Sequence, residues 1–498
     1  MRRLLALFLL LVLVLSGCAQ PVATTAPVPA CIHADADDNG TCDLCAVSVL
    51  VALDFYSIND LHGKLADGEN HIGVDELTTF LKEKQRTENT IFLSAGDMWQ
   101  GTPESNLTHG LIITDWMNEL DFAAMTLGNH EFDWGEEAIE ENAAAARFPL
   151  LAINIFDRQT NTRVEYCDAS AVVDICGIQV GIIGAMGDCY SSIASDKTED
   201  IFFKTGKQLT ELVKAESERL RREEGADLIA YVIHDGYGSS GTSSLSASNL
   251  AGYYDVSLSD GFVDLVFEGH THQKYLATDE YGVYHLQHRG DNSGGISHVE
   301  ITINAVTGTH RVTDSALIST GSYASLEDDP IVDTLLDKYE ETISPANRVV
   351  GLNGSFRNSK QLRQRVADLY YLLGREVWED RYDITLGGGF ISVRSPYELP
   401  KGEVTYGQLQ SLFPFDNDIV LCSIKGSDLL SKFINTDNSN YYISGNYGNI
   451  DPSGTYYVVV DTYTATYAPN RLTIVEEYTP GIYARDLLAD FIEAGGME

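Results

Sequence analysis

Short apolar runs alternate with amphipathic stretches along the chain from Val49 onward. The runs are rich in Val, Ile, Leu and Phe, which is typical of strands covered on both faces. They are Val49–Ile58, Thr90–Ser94, Ala123–Thr126, Leu150–Ile153, Ile178–Ala185, Leu228–Ile233 and Val263–Phe267. Helical spacing separates them at Leu111–Leu120, Glu136–Arg147 and Lys207–Glu224. This alternation predicts an α/β layered domain.

The pattern changes after the apolar run Ile296–Ile303. A helical segment, Asp329–Ile343, is followed by Ser344 and Pro345, and a second unit continues to the end of the chain. We therefore predict a first domain over residues 49–325 and a second over residues 345–498.

The N-terminal segment has the pattern of a secretion signal. Two arginines precede an apolar stretch, Leu4–Leu15, which is too short to span a bilayer. The ending Leu-Ser-Gly-Cys18 resembles the bacterial lipoprotein box, in which the cysteine is lipidated. We therefore expect a signal peptide over residues 1–17 and a lipid anchor at Cys18. An ordinary secretion signal is the alternative.

Residues 18–48 are predicted to be a tether with a small element rich in Cys, His and Asp. Three interpretations of that element stay open. Cys31, His33, Cys42 and Cys45 have the spacing of a structural zinc site. Asp35, Asp37, Asn39 and Gly40 match the opening of a calcium loop, although Ala46 stands where a bidentate Glu belongs. Two disulfides are the third interpretation. Farther along, Cys167 and Cys176 are compatible with a disulfide, and Cys422 is predicted to be a buried thiol.

Composition and charge limit the classes of function that the protein can have. The 498 residues include 33 Lys and Arg against 73 Asp and Glu, a net charge of −40, and 44% of residues are hydrophobic. The apolar content excludes a wholly disordered chain. The negative field repels phosphate backbones, which excludes nucleic-acid binding by bulk charge. A small phosphate ester remains possible where metal ions and arginines reverse the sign locally.

Polar residues follow five of the predicted strands, at the edge where loops of an α/β sheet converge. The segments are Asn59–Gly63, Gly96–Asp97, Gly128–Asp133, His234 and Gly269–His272. Together they offer enough carboxylate, amide and imidazole ligands for two divalent ions. Asp97, in the middle of the set, is the natural shared ligand. These ligand types suit Mn, Zn, Fe or Co.

These segments resemble the motifs of the calcineurin-like two-metal phosphoesterases over about Val49 to Ile303. More narrowly, they resemble the bacterial secreted 5′-nucleotidase branch, which includes UDP-sugar hydrolases and 2′,3′-cyclic phosphodiesterases. The resemblance implies a four-layer α/β/β/α domain followed by a smaller α+β domain for substrate recognition. It also implies two ligand sets that share Asp97. One set is Asp60, His62, Asp97 and His272, and the other is Asp97, Asn129, His234 and His270.

The resemblance gives His130 and Asp133 a role beside the metals. His130 would contact the phosphoryl group and the leaving oxygen, and Asp133 would orient it. A protonated imidazole would stabilise the negative charge of a phosphoryl transition state and donate a proton to the leaving oxygen. The alternative for Asp133 is that it only caps the following helix.

The C-terminal unit resembles the recognition domain of the same branch at Gly387–Gly389 and Phe413–Asn417. Arginines and aromatic side chains are the expected contacts with substrate, because guanidinium groups pair with phosphate and rings stack on bases. The residues expected to bind substrate are Arg357, Arg363, Gly388, Arg394, Phe415, Tyr463 and Tyr467. Arg357 and Arg363 belong to an arginine cluster with Arg365 and Arg375 that could bind an anion. Solvated arginines paired with Asp and Glu, and a core role for Phe415, are the alternatives.

We therefore expect a monomeric, lipid-anchored hydrolase outside the cytoplasm that cleaves phosphate from nucleotides. A cyclic phosphodiesterase, a UDP-sugar hydrolase or a sulfur-ester hydrolase are alternatives on the same fold. A nucleotide-binding surface lipoprotein without catalysis is the alternative from another class.

Overall fold

The computed structural model describes residues 32–68, 72–86, 89–236, 262–279, 282–290, 295–436, 438–466 and 472–497. The predicted signal peptide, Cys18, Cys31 and Tyr467 lie outside these residues. Among the described residues, no helix combines the length and the apolar character needed to cross a bilayer.

Two six-stranded sheets form the first part of the molecule. From edge to edge, the first sheet contains His310–Ile318, Ile296–Asn304, Leu50–Ile58, Thr90–Ser94, Ala124–Thr126 and Leu150–Leu151. Leu50 pairs with Asn304 at the start of an antiparallel ladder, and Leu50–Ile58 is parallel to Thr90–Ser94 on its other side. The last four strands run parallel, so their carboxyl ends lie at one edge of the sheet.

The second sheet is also mixed. It contains Tyr275–Thr278, Tyr284–Gln287, Leu265–Glu268, Leu228–His234, Ile178–Met186 and Ser170–Ile175. Its four central strands are parallel. A separate two-stranded pair joins Ile155–Asp157 to Ile201–Phe203.

The sheets pack face to face because alternate residues of each strand point to opposite sides. Phe55 and Ile182 belong to the core between the sheets, whereas their neighbours Tyr56 and Ile183 belong to the cores beneath the outer helices. The helices on the first sheet are Asp75–Gln85, Pro103–Leu107, Leu111–Glu119, Glu136–Ala145 and Ile331–Ile343. Lys207–Arg219, extended by the π-helical turn Leu220–Glu224, covers the second sheet. The α/β/β/α layering is therefore confirmed.

The C-terminal part is built around a five-stranded sheet. From edge to edge its strands are Tyr441–Gly445, Ile384–Phe390, Thr455–Asp461, Ile419–Lys425 and Thr473–Glu477. Two short pairs join Val349–Asn353 to Gly402–Thr405 and Arg357–Asn358 to Glu398–Leu399. The helices are Ser359–Trp378, Tyr406–Leu412, Gly426–Leu429, Thr462–Thr466 and Ala484–Glu493. Cys422 is fully buried in this sheet, as predicted.

One cysteine prediction is wrong. Cys167 and Cys176 are not joined by a disulfide. Cys167 is buried in the core beneath the first sheet's helices, whereas Cys176 is exposed on the turn that follows Ser170–Ile175. The strand between them carries the two thiols to different environments.

Candidate active site

The predicted metal ligands come together at the carboxyl ends of the parallel strands. Asp60, His62 and His272 each place one ligand atom within 4.8 Å of the others, and so do Asp60, Asp97 and His234. His270 forms a further group with His234 and the buried Cys189 at the same limit. Residues from both sheets therefore form one cluster, because these strand ends meet at the same edge.

The backbone bends sharply at these ligands. Asp60, His62, Asp97, His270 and His272 all have positive φ angles, between 51° and 77°. Residues other than glycine rarely adopt this left-handed conformation, which costs on the order of 1 kcal/mol or more for each residue. These bends reverse the direction of the backbone within a residue or two of the end of each strand. They also bring the loops so close that a Cβ atom at Gly128 would overlap the Asp97 carboxylate.

Backbone carbonyls fix the orientation of two of the imidazoles. Nδ1 of His234 lies 2.6 Å from the Ala95 carbonyl oxygen, and Nδ1 of His62 lies 3.0 Å from that of Gln100. Each Nδ1–H therefore donates to a carbonyl, which leaves the lone pair of Nε2 facing the cluster. This is the arrangement that metal-binding histidines commonly have in proteins.

The atoms facing one another in the cluster fit a bound cation. Nε2 of His62 lies 3.2 Å from Nε2 of His272, and Nε2 of His234 lies 3.1 Å from Oδ2 of Asp97. Oδ1 of Asn129 is buried with no hydrogen-bond partner among the described residues. Ligand atoms about 3 Å apart around a common point match metal–nitrogen bonds of about 2.0–2.1 Å. Asp60, His62, Asp97, Asn129, His234, His270 and His272 therefore suit divalent ions.

The buried carboxylates of the cluster favour positive charge beside them. Burial lowers the pKa of His234, but the Asp97 carboxylate outweighs that effect and raises the pKa to about 10. Burial holds the pKa of His62 well below its usual value, so that imidazole is neutral and can act as a ligand. A bound metal ion would replace the proton on His234, because a ligating imidazole must be neutral.

Glu131 holds the ligand loops together, and the sequence reasoning assigned it no role. Its fully buried carboxylate accepts hydrogen bonds from the backbone N–H groups of Asp97, Met98 and Gly128, at 2.9, 2.8 and 2.6 Å. Burial and the nearby Asp97 raise its pKa to about 7. The only signal in the sequence is its position between His130 and Asp133.

His130 lies at the border of the cluster, on the short 3₁₀ turn Asn129–Phe132. Its backbone N–H donates to Oδ1 of Asp97 at 2.8 Å, and its Nδ1 lies 2.8 Å from Oδ2 of Asp133. Burial lowers the pKa of His130, but the Asp133 and Asp97 carboxylates raise it by more, so the pKa lies above its ordinary value. The next helix has Gly135 at its N-cap, so Asp133 is free of the capping role that was the alternative.

A cavity of about 540 Å³ opens between the cluster and the C-terminal part of the chain. Arg394, Phe415 and Tyr463, which are predicted to bind substrate, line it together with His130. Nη2 of Arg394 lies 3.2 Å from Nε2 of His130. The Phe415 ring stacks on the His130 ring at 6.0 Å between centroids. Phe390, which the sequence reasoning missed, also lines the cavity and lies 5.6 Å from Tyr463.

Three predicted substrate residues are absent from the lining of this cavity. Arg357 lies on the short strand Arg357–Asn358. Arg363 lies on the long helix Ser359–Trp378, and its guanidinium donates to Oδ1 of Asn440 at 2.8 Å. Gly388 lies inside the sheet, where a Cβ atom would overlap the carbonyl oxygen of Tyr442. Their contact with substrate stays a prediction.

Comparisons with known proteins agree with this geometry. Residues 53–274 match the model of the calcineurin-like phosphoesterase family. Protein 5NUC of Lutzomyia longipalpis is 25% identical over 397 residues, which cover 72% of this chain and 66% of that protein. A 5′-nucleotidase of Vibrio cholerae is 29% identical over 225 residues, which cover 43% of this chain and 39% of that protein.

The fold extends beyond the matched domain. The structure of a 5′-nucleotidase precursor from Thermus thermophilus superposes with a TM-score of 0.64 at 20% identity. The superposition covers 89% of this chain and 96% of that one. The sequence alignments are shorter and span between 32% and 66% of the length of the first curated relatives. Residues 53–274 therefore form a calcineurin-like phosphoesterase domain, and the chain as a whole shares its fold with the Thermus thermophilus protein.

Proposed function

We propose that this protein hydrolyses phosphate monoesters of nucleotides with two divalent metal ions. One observation carries the proposal: Arg394 and Phe415 of the C-terminal part meet His130 directly above the carboxylate and imidazole cluster. An anion-binding group, an aromatic face and a metal-ligand set therefore line one cavity. A nucleotide monophosphate has the complementary parts, a phosphate dianion joined to a planar base.

Two ligand sets would hold the metal ions. Asp60, His62, Asp97 and His272 form one set, and Asp97, Asn129, His234 and His270 form the other. Bound ions of this kind supply Lewis acidity toward phosphoryl oxygens and a nucleophilic water at neutral pH. Asp97 would be shared, which fits its central position and its two engaged oxygens.

His130 would act on the leaving group. Its Nδ1 is held by Asp133, so its Nε2 points into the cavity toward Arg394. A phosphate ester entering between these two side chains would accept hydrogen bonds from Arg394 and from a protonated Nε2. That proton would then pass to the leaving alkoxide, for which the positioned imidazole contributes about 10²–10⁴-fold. Arg394 would stay charged and stabilise the negative phosphoryl oxygens.

The aromatic side chains would select the nucleoside. Phe415 is half-buried against His130, and Phe390 and Tyr463 form a second aromatic pair that also lines the cavity. Rings at these places would stack on a base, which is worth about 1–3 kcal/mol for each stacked base. The strongly acidic surface would disfavour longer nucleic acids.

We also propose that the enzyme works outside the cytoplasm, held by a lipid at Cys18. The support is the signal-like N-terminal segment and the Leu-Ser-Gly-Cys ending. Metabolic labelling with a fatty acid tests this proposal. Incorporation into the wild type and its loss in Cys18→Ser would support it, and labelling of both would contradict it.

A substrate panel tests the catalytic proposal. Purified protein loaded with Mn²⁺, Zn²⁺ or Co²⁺ is assayed on nucleoside 5′-monophosphates, UDP-sugars, 2′,3′-cyclic nucleotides, a thiosulfate ester and a single-stranded oligonucleotide. We expect phosphate release from the 5′-monophosphates, abolished by a chelator and restored by added metal. Faster hydrolysis of another member of the panel would identify that ester as the substrate class instead. The absence of hydrolysis of every member by metal-loaded protein would indicate a binding protein.

A further inference from the structure

Residues 32–49, ahead of the first strand, form a small element docked on the turn after Ile296–Asn304. The side chain of Asn304 donates to Asp35 at 2.7 Å and to Asp38 at 2.8 Å. Thr307 donates to the same Asp38 oxygen at 2.6 Å. The element is closed internally by a β-bridge between Thr41 and Ser48. It therefore has a defined structure attached to the phosphoesterase domain.

Three ligands for a soft metal converge within this element. One atom each of His33, Cys42 and Cys45 lies within 4.8 Å of the others, and Sγ of Cys45 lies 3.5 Å from Nδ1 of His33. Tetrahedral zinc, with Zn–S of about 2.3 Å and Zn–N of about 2.0–2.1 Å, places a sulfur and a nitrogen ligand roughly 3.5 Å apart. The contact between this thiol and imidazole therefore has the spacing of two ligands on one ion.

The turn that carries the two thiols supports the same geometry. The backbone N–H of Ala46 donates to the Cys42 carbonyl at 2.8 Å, and Ala46 has a φ of 56°. The N–H of Cys42 donates to the Val47 carbonyl at 2.8 Å. The Cys-x-x-Cys segment is thereby folded back on itself, which brings both sulfur atoms to one side.

The carboxylates of the element are engaged in holding this loop. Asp35 accepts from the backbone N–H groups of Asn39 and Gly40 at 3.0 and 2.8 Å, and Asp43 accepts from that of Ala36 at 2.8 Å. Ala46 also lacks the carboxylate that a calcium loop requires at its last position. Cys42 and Cys45 are not joined by a disulfide. Of the three interpretations of the sequence, the geometry favours zinc.

We propose that His33, Cys42 and Cys45 bind a structural zinc ion, which stabilises residues 32–49 against the phosphoesterase domain. The ion would be separate from the two ions of the proposed active site, since its ligands are contributed by the N-terminal element alone. The proposal therefore stands or fails independently of the proposed activity.

Cobalt substitution of the full chain tests this site, because Co²⁺ bound to thiolate gives a near-ultraviolet charge-transfer band that oxygen and nitrogen ligands do not give. We expect the band in the wild type and in Cys176→Ser, a matched change at another exposed cysteine. We expect Cys45→Ser to lose the band and one equivalent of zinc by elemental analysis, while it retains hydrolytic activity. A wild type without the band, or a Cys45→Ser variant that keeps both the band and the zinc, would overturn the proposal.

Replacing His33 with another metal ligand distinguishes loss of zinc binding from loss of folding. His33→Cys should keep the zinc and intensify the band through an added thiolate, whereas His33→Ala should lose the zinc. Equal zinc content in these two variants would rule out His33 as a ligand. Calcium in place of zinc in wild-type protein, or an intact mass that shows Cys42 oxidised to a disulfide, would also contradict the proposal.

Discussion

Nη2 of Arg394 lies 3.2 Å from Nε2 of His130, although the two residues are 264 positions apart in the chain. In this arrangement Nδ1 of His130 donates to Asp133, and Nε2 accepts from Arg394. The pair joins the two halves of the cavity above the metal-ligand cluster. The proposed catalysis would therefore depend on how the C-terminal part is seated on the phosphoesterase domain.

Replacing Arg394 tests its role in holding the phosphate. Arg394→Ala should lower kcat/KM by about 10- to 100-fold, because a hydrogen bond to a charged group contributes about 1.5–3 kcal/mol. Arg394→Lys should fall between Arg394→Ala and the wild type, since it keeps the charge but loses the planar fork. Steady-state kinetics on the preferred nucleotide measure both. Arg375→Ala, outside the cavity lining and paired with Glu379, is the matched control, and equal losses in Arg375→Ala and Arg394→Ala would refute the assignment.

His130 should be needed for turnover but not for metal binding. His130→Ala is expected to reduce kcat by about 10²–10⁴-fold through loss of proton donation. Asp133→Asn should produce a smaller reduction, because the imidazole remains but is less firmly oriented. Metal content by elemental analysis should equal that of the wild type in both variants. Retention of full kcat in His130→Ala would disprove its proposed role, and His310→Ala, on the strand His310–Ile318, serves as a control.

The two ligand sets predict different metal losses. Asp97→Ala should lose both active-site ions, because Asp97 belongs to both sets. Asn129→Ala should lose one, because its buried Oδ1 belongs only to the second set. Both changes should abolish most activity, because the two ions together would supply the Lewis acidity and the nucleophilic water of the proposed reaction. Elemental analysis after dialysis separates the two cases, and equal metal content in Asp97→Ala and wild type would contradict a shared ligand.

Glu131 should stabilise the ligand loops. Glu131→Gln places an amide group against the backbone N–H donors of Asp97, Met98 and Gly128, where the wild type has two accepting oxygens. We expect unfolding free energy to fall by about 1–3 kcal/mol and metal affinity to weaken by about 10- to 100-fold. Denaturant unfolding and metal titration measure these effects. Glu136→Gln, at the start of the following helix, is a control, and the clamp would be disproved if the two variants were equally stable.

Stability should decline at alkaline pH through His285. Burial lowers the pKa of this fully buried imidazole, but hydrogen bonds to Asp279 and Glu268 outweigh that effect and raise the pKa to about 9. The unfolded value is about 6.5, so the stabilisation is complete below that pH and is lost as the pH rises through about 9. Its size is on the order of 3 kcal/mol.

Urea unfolding from pH 6 to pH 9.5 tests this dependence. The difference in unfolding free energy between the wild type and His285→Gln should shrink steadily as the pH rises. A difference that stays constant across this range would show that the charge of His285 contributes nothing.

The sequence was informative wherever a ligand directly follows a strand. Asp60, Asp97 and His234 could be assigned because each comes at or just after the end of an apolar run, and strand ends of a parallel sheet meet. The alternation of strands with helices also predicted the α/β layering of the first domain. These inferences need only local order along the chain.

The remaining features depend on tertiary contacts that no spacing reveals. The partners of Glu131 include backbone amides more than thirty residues away. Phe390 enters the cavity only because its strand and the Thr462–Thr466 helix pack together. Residue type could not show which arginine reaches His130, because that depends on the orientation of each element, and only Arg394 is seen beside it among the described residues.

With the lipid anchor proposed at Cys18, the docking of residues 32–49 would determine which way the proposed active site faces. The element is fastened to Asn304, which pairs with Leu50 at the start of the first strand, whereas Asp60 follows the far end of that strand. Nine residues of strand separate them, a distance of roughly 30 Å at about 3.3 Å per residue. A surface that holds the N-terminal tether would thus lie behind the molecule, and the cavity would open toward the surrounding solution. Substrate could then approach by free diffusion without competing with the anchoring surface for access.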